Sequence, residues 1–309
     1  MLVLSYHRIG DPQGDLFDPD LFSATPDQLD AQLSYLNRHV SLVTIEEALR
    51  FIEGGGERTS RCRALITFDD GYLDNYQLAF PILPAHGVQG VFFLATDMIG
   101  SSCIPWWDRI AYLMKTARQR RFTLHHPVEQ EFDLGQGSFT AHLRRVLTPC
   151  YTLNAANVPR LVQELAAQAG AEQPTESERR FLNWDEARAM IRGGMAIGSH
   201  TRLHLVLSRL KAREQKWEMS SCRERLQECL GIEVETLAYP YGRTGTFSEL
   251  TRQLARDTGY RAALLLERGV NLPGKTHPFG VKRIGVDAGS LTRFQIQAAM
   301  CSITGEYSP

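Results

Sequence analysis

No run of about 18 apolar residues occurs anywhere in the chain, so no segment reads as a membrane-spanning helix. Charge of one sign is missing too: 34 Lys and Arg stand against 35 Asp and Glu, a net charge of −1. That balance removes the electrostatic argument for nucleic acid or an anionic membrane surface as a partner. The first residues, Met1 to Ile9, carry neither a basic leader segment nor a long apolar one. They read better as a first β-strand than as a signal peptide, and the expectation is a cytoplasmic protein. None of the six cysteines (Cys62, Cys103, Cys150, Cys222, Cys229 and Cys301) forms a Cys-x-x-Cys pair. They are expected to be mostly reduced, partly buried thiols. Cys222 and Cys229 fall on one expected helix, two turns and about 10 Å apart, too far to bridge. No internal repeat is visible. With 43% hydrophobic and 22% charged residues, the composition is that of a globular chain.

What the chain does have is Ala64-Leu65-Ile66-Thr67-Phe68-Asp69-Asp70-Gly71-Tyr72, a short apolar run that ends in two adjacent carboxylates and a glycine. Ala64 to Phe68 reads as a buried strand, and Gly71 frees the chain to turn at its end. Two neighbouring carboxylates in a poorly solvated place repel each other. A metal ion bound by one of them would relieve that repulsion and hold the other ionised as a base. The plainer alternative is a strand-to-helix turn in which Asp69 or Asp70 caps the next helix.

The rest of the chain repeats a strand-then-helix pattern. Strands are expected at residues 2–6, 40–43, 64–68, 90–95, 196–200, 234–239, 262–266 and 281–286. Thr25-Pro26-Asp27-Gln28 reads as a capped helix start, as does Thr44 ahead of Glu47. A helix is expected over 74–84. Strand, helix, strand at this spacing implies a parallel sheet. Seven or eight such units suggest a (β/α) barrel, incomplete or distorted. Residues 101–180 differ: they show mostly helical periodicity and no strong buried strand. They read as a helical insertion in one domain spanning 1–309, with Trp106-Trp107-Asp108 at its entrance. The two tryptophans suit either a sugar-stacking platform or a buried core.

Polar residues recur at strand C-terminal ends: His7, Asp69, Asp70, His200, and Tyr241 in a Pro-Tyr-Gly turn. Barrel enzymes build their active sites on that face. His200 and His204 are four apart, which at helical spacing sets both imidazoles on one side. Two neutral imidazoles and one carboxylate make three metal ligands and leave a position open for water or substrate. A divalent ion there would acidify water and polarise a carbonyl. Each part alone has an ordinary alternative. His-x-x-x-His recurs by chance, His7 suits a hydrogen-bonded structural histidine, and Tyr241 suits a plain turn residue. All of them together, on consecutive strand–helix units, form a much rarer arrangement.

In combination the motifs resemble the polysaccharide deacetylase family with the NodB homology domain, carbohydrate esterase family 4. Thr67-Phe68-Asp69-Asp70-Gly71 is similar to its first motif, His200-Thr201-Arg202-Leu203-His204 to its second, and Tyr239-Pro240-Tyr241-Gly242 to its third. The resemblance covers about 1–10, 62–100 and 181–287 and implies a distorted (β/α) barrel of about seven strands. It implies Asp69 as general base, Asp70, His200 and His204 as ligands of a divalent metal, zinc first, and the Tyr241 N–H as a donor to the oxyanion. Ala238 stands where many members carry an arginine two residues before the proline. Arg283 is the expected substitute for holding the base. The late Leu-x-x-His motif that supplies the family's general acid is not evident. Tyr6-His7 resembles the N-terminal Tyr-His element of the poly-N-acetylglucosamine deacetylases, which assigns the acid to His7. Asp18-Pro19-Asp20-Leu21-Phe22-Ser23-Ala24-Thr25-Pro26 resembles members found with bacterial polysaccharide biosynthesis.

The resemblance implies removal of N-acetyl groups from amino sugars of a bacterial polysaccharide or its precursor. Two alternatives stay open. One is a deacylase or deformylase acting on a small or lipid-linked sugar, and the other is a carbohydrate-binding protein without catalysis. The paired carboxylates beside two histidines argue against the second, because a binding module needs no base.

Overall fold

The chain opens with β1 (Leu2–Tyr6) and the short β2 (Arg8–Ile9), which pairs in parallel with β3 (Phe22–Ala24). The strands β4 (Ser41–Leu42), β5 (Arg63–Phe68) and β6 (Gly90–Leu94) follow. An antiparallel hairpin, β7 (Arg121–Leu124) and β8 (Gln130–Asp133), precedes β9 (Ala196–Ser199), β10 (Thr236–Ala238), β11 (Ala262–Leu264) and β12 (Ile284–Gly285). This computed structural model describes residues 1–55, 61–153 and 157–305. Contacts divide the chain into two units: Met1–Gly10, Phe22–Ser101 and Phe181–Pro309 form one, Asp11–Leu21 and Ser102–Arg180 the other.

In the first unit the strands lie in the order β11-β10-β9-β6-β5-β1-β12, all parallel, with β4 paired to β5. Seven strands along this path, ringed by helices, make a half-barrel, consistent with the expected distorted (β/α) barrel. Val281, just before β12, bridges Leu264 of β11, while β12 itself pairs with β1. One short segment therefore touches both ends of the sheet path and curls it toward closure.

The helices start where the caps predict. In α1 (Pro26–His39), Thr25 and Gln28 form a capping box with Pro26 at the first turn, and Thr44 with Glu47 caps α2 (Ile45–Ile52) the same way. The helix expected over 74–84 is instead a π-helical turn, Asn75–Ala79, followed by the one-turn α3 (Ile82–Ala85). After it come α4 (Trp106–Lys115), α5 (Phe139–Cys150) and α6 (Val158–Ala169) in the second unit. The first unit resumes with α7 (Trp184–Arg192), α8 (Ala212–Leu230), α9 (Glu249–Asp257) and α10 (Leu291–Gly305).

Alternation along the strands sorts the core into two layers, because successive side chains point to opposite faces. Leu2, Leu4, Tyr6, Ile66, Phe68, Phe92 and Leu94 pack with Leu29, Leu33 and Leu36 of α1 in the outer layer. Val3, Leu65, Val91, Phe93, Ala238 and Leu264 fill the inner one. Continuing that inner phase past Leu65 leads to Thr67 and then Asp69. On β9 the same phase runs Ala196, Gly198, His200. Gly198 is required there: a Cβ would sit 2.4 Å from the Phe93 ring.

The second unit has its own apolar centre, in which Trp107, Ile110, Leu113, Phe122, Leu124, Phe132, Leu143 and Leu165 are buried. Trp107 is thus core, with Trp106 edge-on against it. The hairpin adds two short strands to the expected helical insertion. Phe122 and Leu124 alternate with polar residues in four-residue strands, a period-2 signal too short to stand out beside the helices. Two buried carboxylates tie the 11–21 loop in: Asp18 N–H donates to Asp108 Oδ1 at 3.1 Å, and Arg144 lies 3.7 Å from Asp18. Cys103, Cys150, Cys222 and Cys229 are free thiols, as expected, whereas Cys62 is disulfide-bonded.

Candidate active site

Asp69 and Asp70 follow β5 directly, and the turn that carries them is tight and left-handed. Asp70 has φ 72° and Gly71 φ 79°. Among the described residues, only Asp70, Thr201, His204 and Tyr241 are non-glycine residues with positive φ. All four lie in the three motifs at the strand ends. Such backbone is strained for a side-chain-bearing residue, most of all for β-branched Thr201, and it persists where surrounding packing holds it.

The two carboxylates have different surroundings. Arg283, fully buried, grips Asp69 with both terminal nitrogens, Nη1 to Oδ1 and Nη2 to Oδ2 at 2.7 Å each. The guanidinium is itself anchored: Nε donates to the Leu265 carbonyl at 2.7 Å and Nη1 also reaches Thr67 Oγ1 at 3.2 Å. Burial would raise the Asp69 carboxyl, but Arg283 and then His200 overrule it and hold it below the ordinary carboxylate value. Asp69 is therefore an anion at neutral pH.

Asp70 faces the histidines. Its Oδ1 lies 3.3 Å from Nε2 of His200 and 3.3 Å from Nε2 of His204, and the two Nε2 atoms are 3.1 Å apart. Nδ1 of His200 sits 2.8 Å from the Ala238 carbonyl. A carbonyl only accepts, so Nδ1 carries a proton, and in the neutral ring the Nε2 lone pair points at Asp70. Burial pulls the Asp70 carboxyl up, but the neighbouring imidazoles hold it well below the ordinary value. Burial likewise drives His204 down to about 3 against the pull of Asp70. His200 goes the other way, because Asp69 and Asp70 outweigh its burial.

Three buried acceptor atoms thus converge, and Oδ1 of Asp70 has no hydrogen-bond donor among the described residues. Deprotonated acceptors this close repel one another unless a cation lies between them. Their edges of 3.1 to 3.3 Å match the roughly 3.3 Å between ligands of a small tetrahedral ion with bonds near 2.0 Å. The donor set, two imidazoles and one carboxylate, fits a divalent ion with an open position.

A family model described as polysaccharide deacetylase matches residues 56–263. The chain belongs to the polysaccharide deacetylase family. Within that family, it is 22% identical to YxkH of Bacillus subtilis over 243 residues, which cover 78% of this chain and 58% of YxkH. It is 29% identical over 111 residues to the poly-beta-1,6-N-acetyl-D-glucosamine N-deacetylase of Staphylococcus epidermidis, covering 33% of this chain and 38% of that protein. The matches therefore span less than two thirds of either relative. The fold is similar to that of Streptococcus pyogenes deacetylase PplD, solved in complex with acetate: TM-score 0.63, 17% identity, 96% of each chain covered.

In this polysaccharide deacetylase family member the remaining expected residues stand as follows. The Tyr241 ring lies edge-on to His204, centroids 4.7 Å apart. His7 follows β1 and is close enough to act electrostatically on Asp69, Asp70 and His204. Arg283 occupies the place beside Asp69 that Ala238 leaves without an arginine. His200 and His204 do not share a helix face as their spacing suggested. They flank a loop turned by the left-handed Thr201, and His204 is itself left-handed.

Glu218 of α8 was not foreseen. Its Oε2, buried, accepts from the backbone N–H groups of Arg202 at 3.1 Å and Leu203 at 2.8 Å, which fixes that loop. Ser5, 3.5 Å from Asp69 Oδ2, was also missed. Strand alternation could have found Ser5, the inner-face neighbour after Val3. Nothing local marks Glu218. The Asp69–Asp70 turn depends on Gly71, whose added Cβ would meet Leu94 Cδ2 at 2.8 Å in a left-handed conformation. Gly71→Ala is expected to cost about 1–3 kcal/mol of stability, read by urea unfolding. A loss below about 0.5 kcal/mol would contradict this account of the turn.

Proposed function

We propose that this chain removes N-acetyl groups from amino sugars of a bacterial polysaccharide or its precursor, with a divalent metal held by Asp70, His200 and His204. The observation that carries the reading is the converging Asp70–His200–His204 acceptor set beside the Asp69–Arg283 ion pair, in a chain of the polysaccharide deacetylase family. The named Staphylococcus epidermidis relative supports an N-acetylglucosamine polymer as substrate class. Zinc is the first choice, because histidine nitrogen and one carboxylate suit it.

When bound, the ion supplies Lewis acidity to the acyl carbonyl and to water. The chain's own residues do the rest. Asp69, kept ionised by Arg283, takes a proton from the attacking water. The Tyr241 N–H donates to the acyl oxygen as negative charge gathers there. His7, protonated, gives its proton to the departing amine nitrogen.

The test is metal analysis of the purified protein together with acetate release from β-1,6-linked and β-1,4-linked N-acetylglucosamine oligomers. Stoichiometric divalent metal and acetate release are expected, with loss of turnover on chelation and recovery on adding zinc. Release of formate from a formamido sugar, with no acetate from any oligomer, would favour a deformylase. Metal-free protein that binds these sugars without turnover would overturn catalysis.

A further inference from the structure

β1 pairs with β5 residue for residue up to Tyr6 and Phe68, and the Asp69 N–H donates to the Tyr6 carbonyl. At His7 side chains take over from the sheet ladder. The His7 N–H donates to Ser23 Oγ at 3.0 Å, and the His7 carbonyl accepts from Asn75 Nδ2 at 2.6 Å. The next two residues are held the same way: Asp74 accepts from Arg8 Nε at 2.9 Å and from the Ile9 N–H at 3.1 Å. Asn75 Nδ2 also donates to Asp74 Oδ1 at 3.0 Å, so the two clamp residues are locked together. Ser23 and Asn75 are buried, and the Arg8 guanidinium lies 4.1 Å over the Phe22 ring.

The clamp comes from just past the Asp69–Asp70 turn. Asn75 opens the π-helical turn, with the Phe80 N–H donating back to its carbonyl. Inserted π turns of this kind often mark functional sites. Here it brings one segment to bear on two jobs: Asp69 and Asp70 at its start, and the backbone of His7 a few residues on.

We propose that Asn75, aided by Ser23 and Asp74, is a positioning residue that sets the His7 imidazole for proton delivery. This rests on the reading of His7 as proton donor. A proton donor works only within hydrogen-bond reach, and a displacement of about 1 Å can cost about a hundredfold in rate. His7 lies between the β1–β5 ladder and the β2–β3 pair, and its own N–H and carbonyl are held by these side chains.

A double-mutant cycle tests it, with metal-loaded full chain and acetate release from the N-acetylglucosamine oligomers as readout. Asn75→Ala is expected to lower kcat about 10- to 100-fold with KM little changed. In a His7→Ala background the same change should have no further effect. Ser23→Ala, which removes one oxygen and little volume, should act in the same sense more weakly and serves if Asn75→Ala does not fold. Para-nitrophenyl acetate, whose leaving group departs without a proton, should be cleaved at the parental rate by Asn75→Ala and Ser23→Ala. Equal losses with and without His7, or equal losses on ester and amide, would overturn the positioning role alone. An unchanged basic limb of the pH–rate profile in His7→Ala would overturn the His7 assignment and this proposal with it.

Discussion

His200→Ala is expected to abolish acetate release and lower the bound-metal content to background, while the far-ultraviolet dichroism and melting temperature stay close to those of the metal-free parent. The argument is local. His200 supplies one of the three converging acceptors, and its tautomer is set by the Ala238 carbonyl. Two remaining ligands hold a divalent ion far more weakly than three. The fold does not depend on the ion, because Asp70 and His204 sit in turns after β5 and β9 whose backbone bonds are made by the sheet and by Glu218. Removing an imidazole also eases the crowding of acceptors, so the apo variant should unfold no earlier than the apo parent. A variant that keeps both metal and turnover would refute the site. Loss of turnover with full metal content would move His200 from ligand to another role.

Arg283→Met should have the largest effect on stability. The ion pair with Asp69 is sealed from water on both sides, with side-chain exposures of 0% and 3%. Removing one partner of a buried pair leaves an uncompensated charge and typically costs about 3–5 kcal/mol. The pH dependence has a definite sign. In the parent the Asp69 carboxyl sits below its unfolded value, so its stabilising contribution is complete above about pH 4 and is lost as the pH falls through the folded value. In Arg283→Met burial loses its chief opponent and the carboxyl rises. The acid limb of kcat/KM should therefore move to higher pH. Part of the lost stability should return on acidification, as Asp69 becomes neutral. An acid limb that stays in place, with a stability loss under about 1 kcal/mol, would show that Arg283 does not hold the base.

Much of the site could be read along the chain because its donors sit at the ends of strands that announce themselves. Leu65-Ile66-Thr67-Phe68 is a buried strand by composition, and whatever follows it lies at the sheet's C-terminal edge. The same holds for His200 after Ile197-Gly198-Ser199. The caps at Thr25 and Thr44 are likewise local, since a side chain three residues from a free N–H needs no tertiary help. The hairpin at 121–133 escaped notice because four-residue strands carry too few alternations, and the π turn at Asn75 because its first residues look like any helix start.

By itself the sequence determined the parallel strand–helix order, the paired carboxylates at one strand end and the two histidines at another. These are consequences of short-range periodicity and of which residues follow an apolar run. The tertiary structure alone decided how those pieces divide the work. Arg283, 214 positions from Asp69, reaches it only because the segment after β11 curls back onto β1. Ala238 fixes the His200 tautomer across the sheet, and Glu218 of α8 holds the loop that carries His204. Asn75 takes the place of a ladder partner for His7. Each of these is a contact between a strand end and a distant element, set by sheet register and closure, which no local pattern encodes.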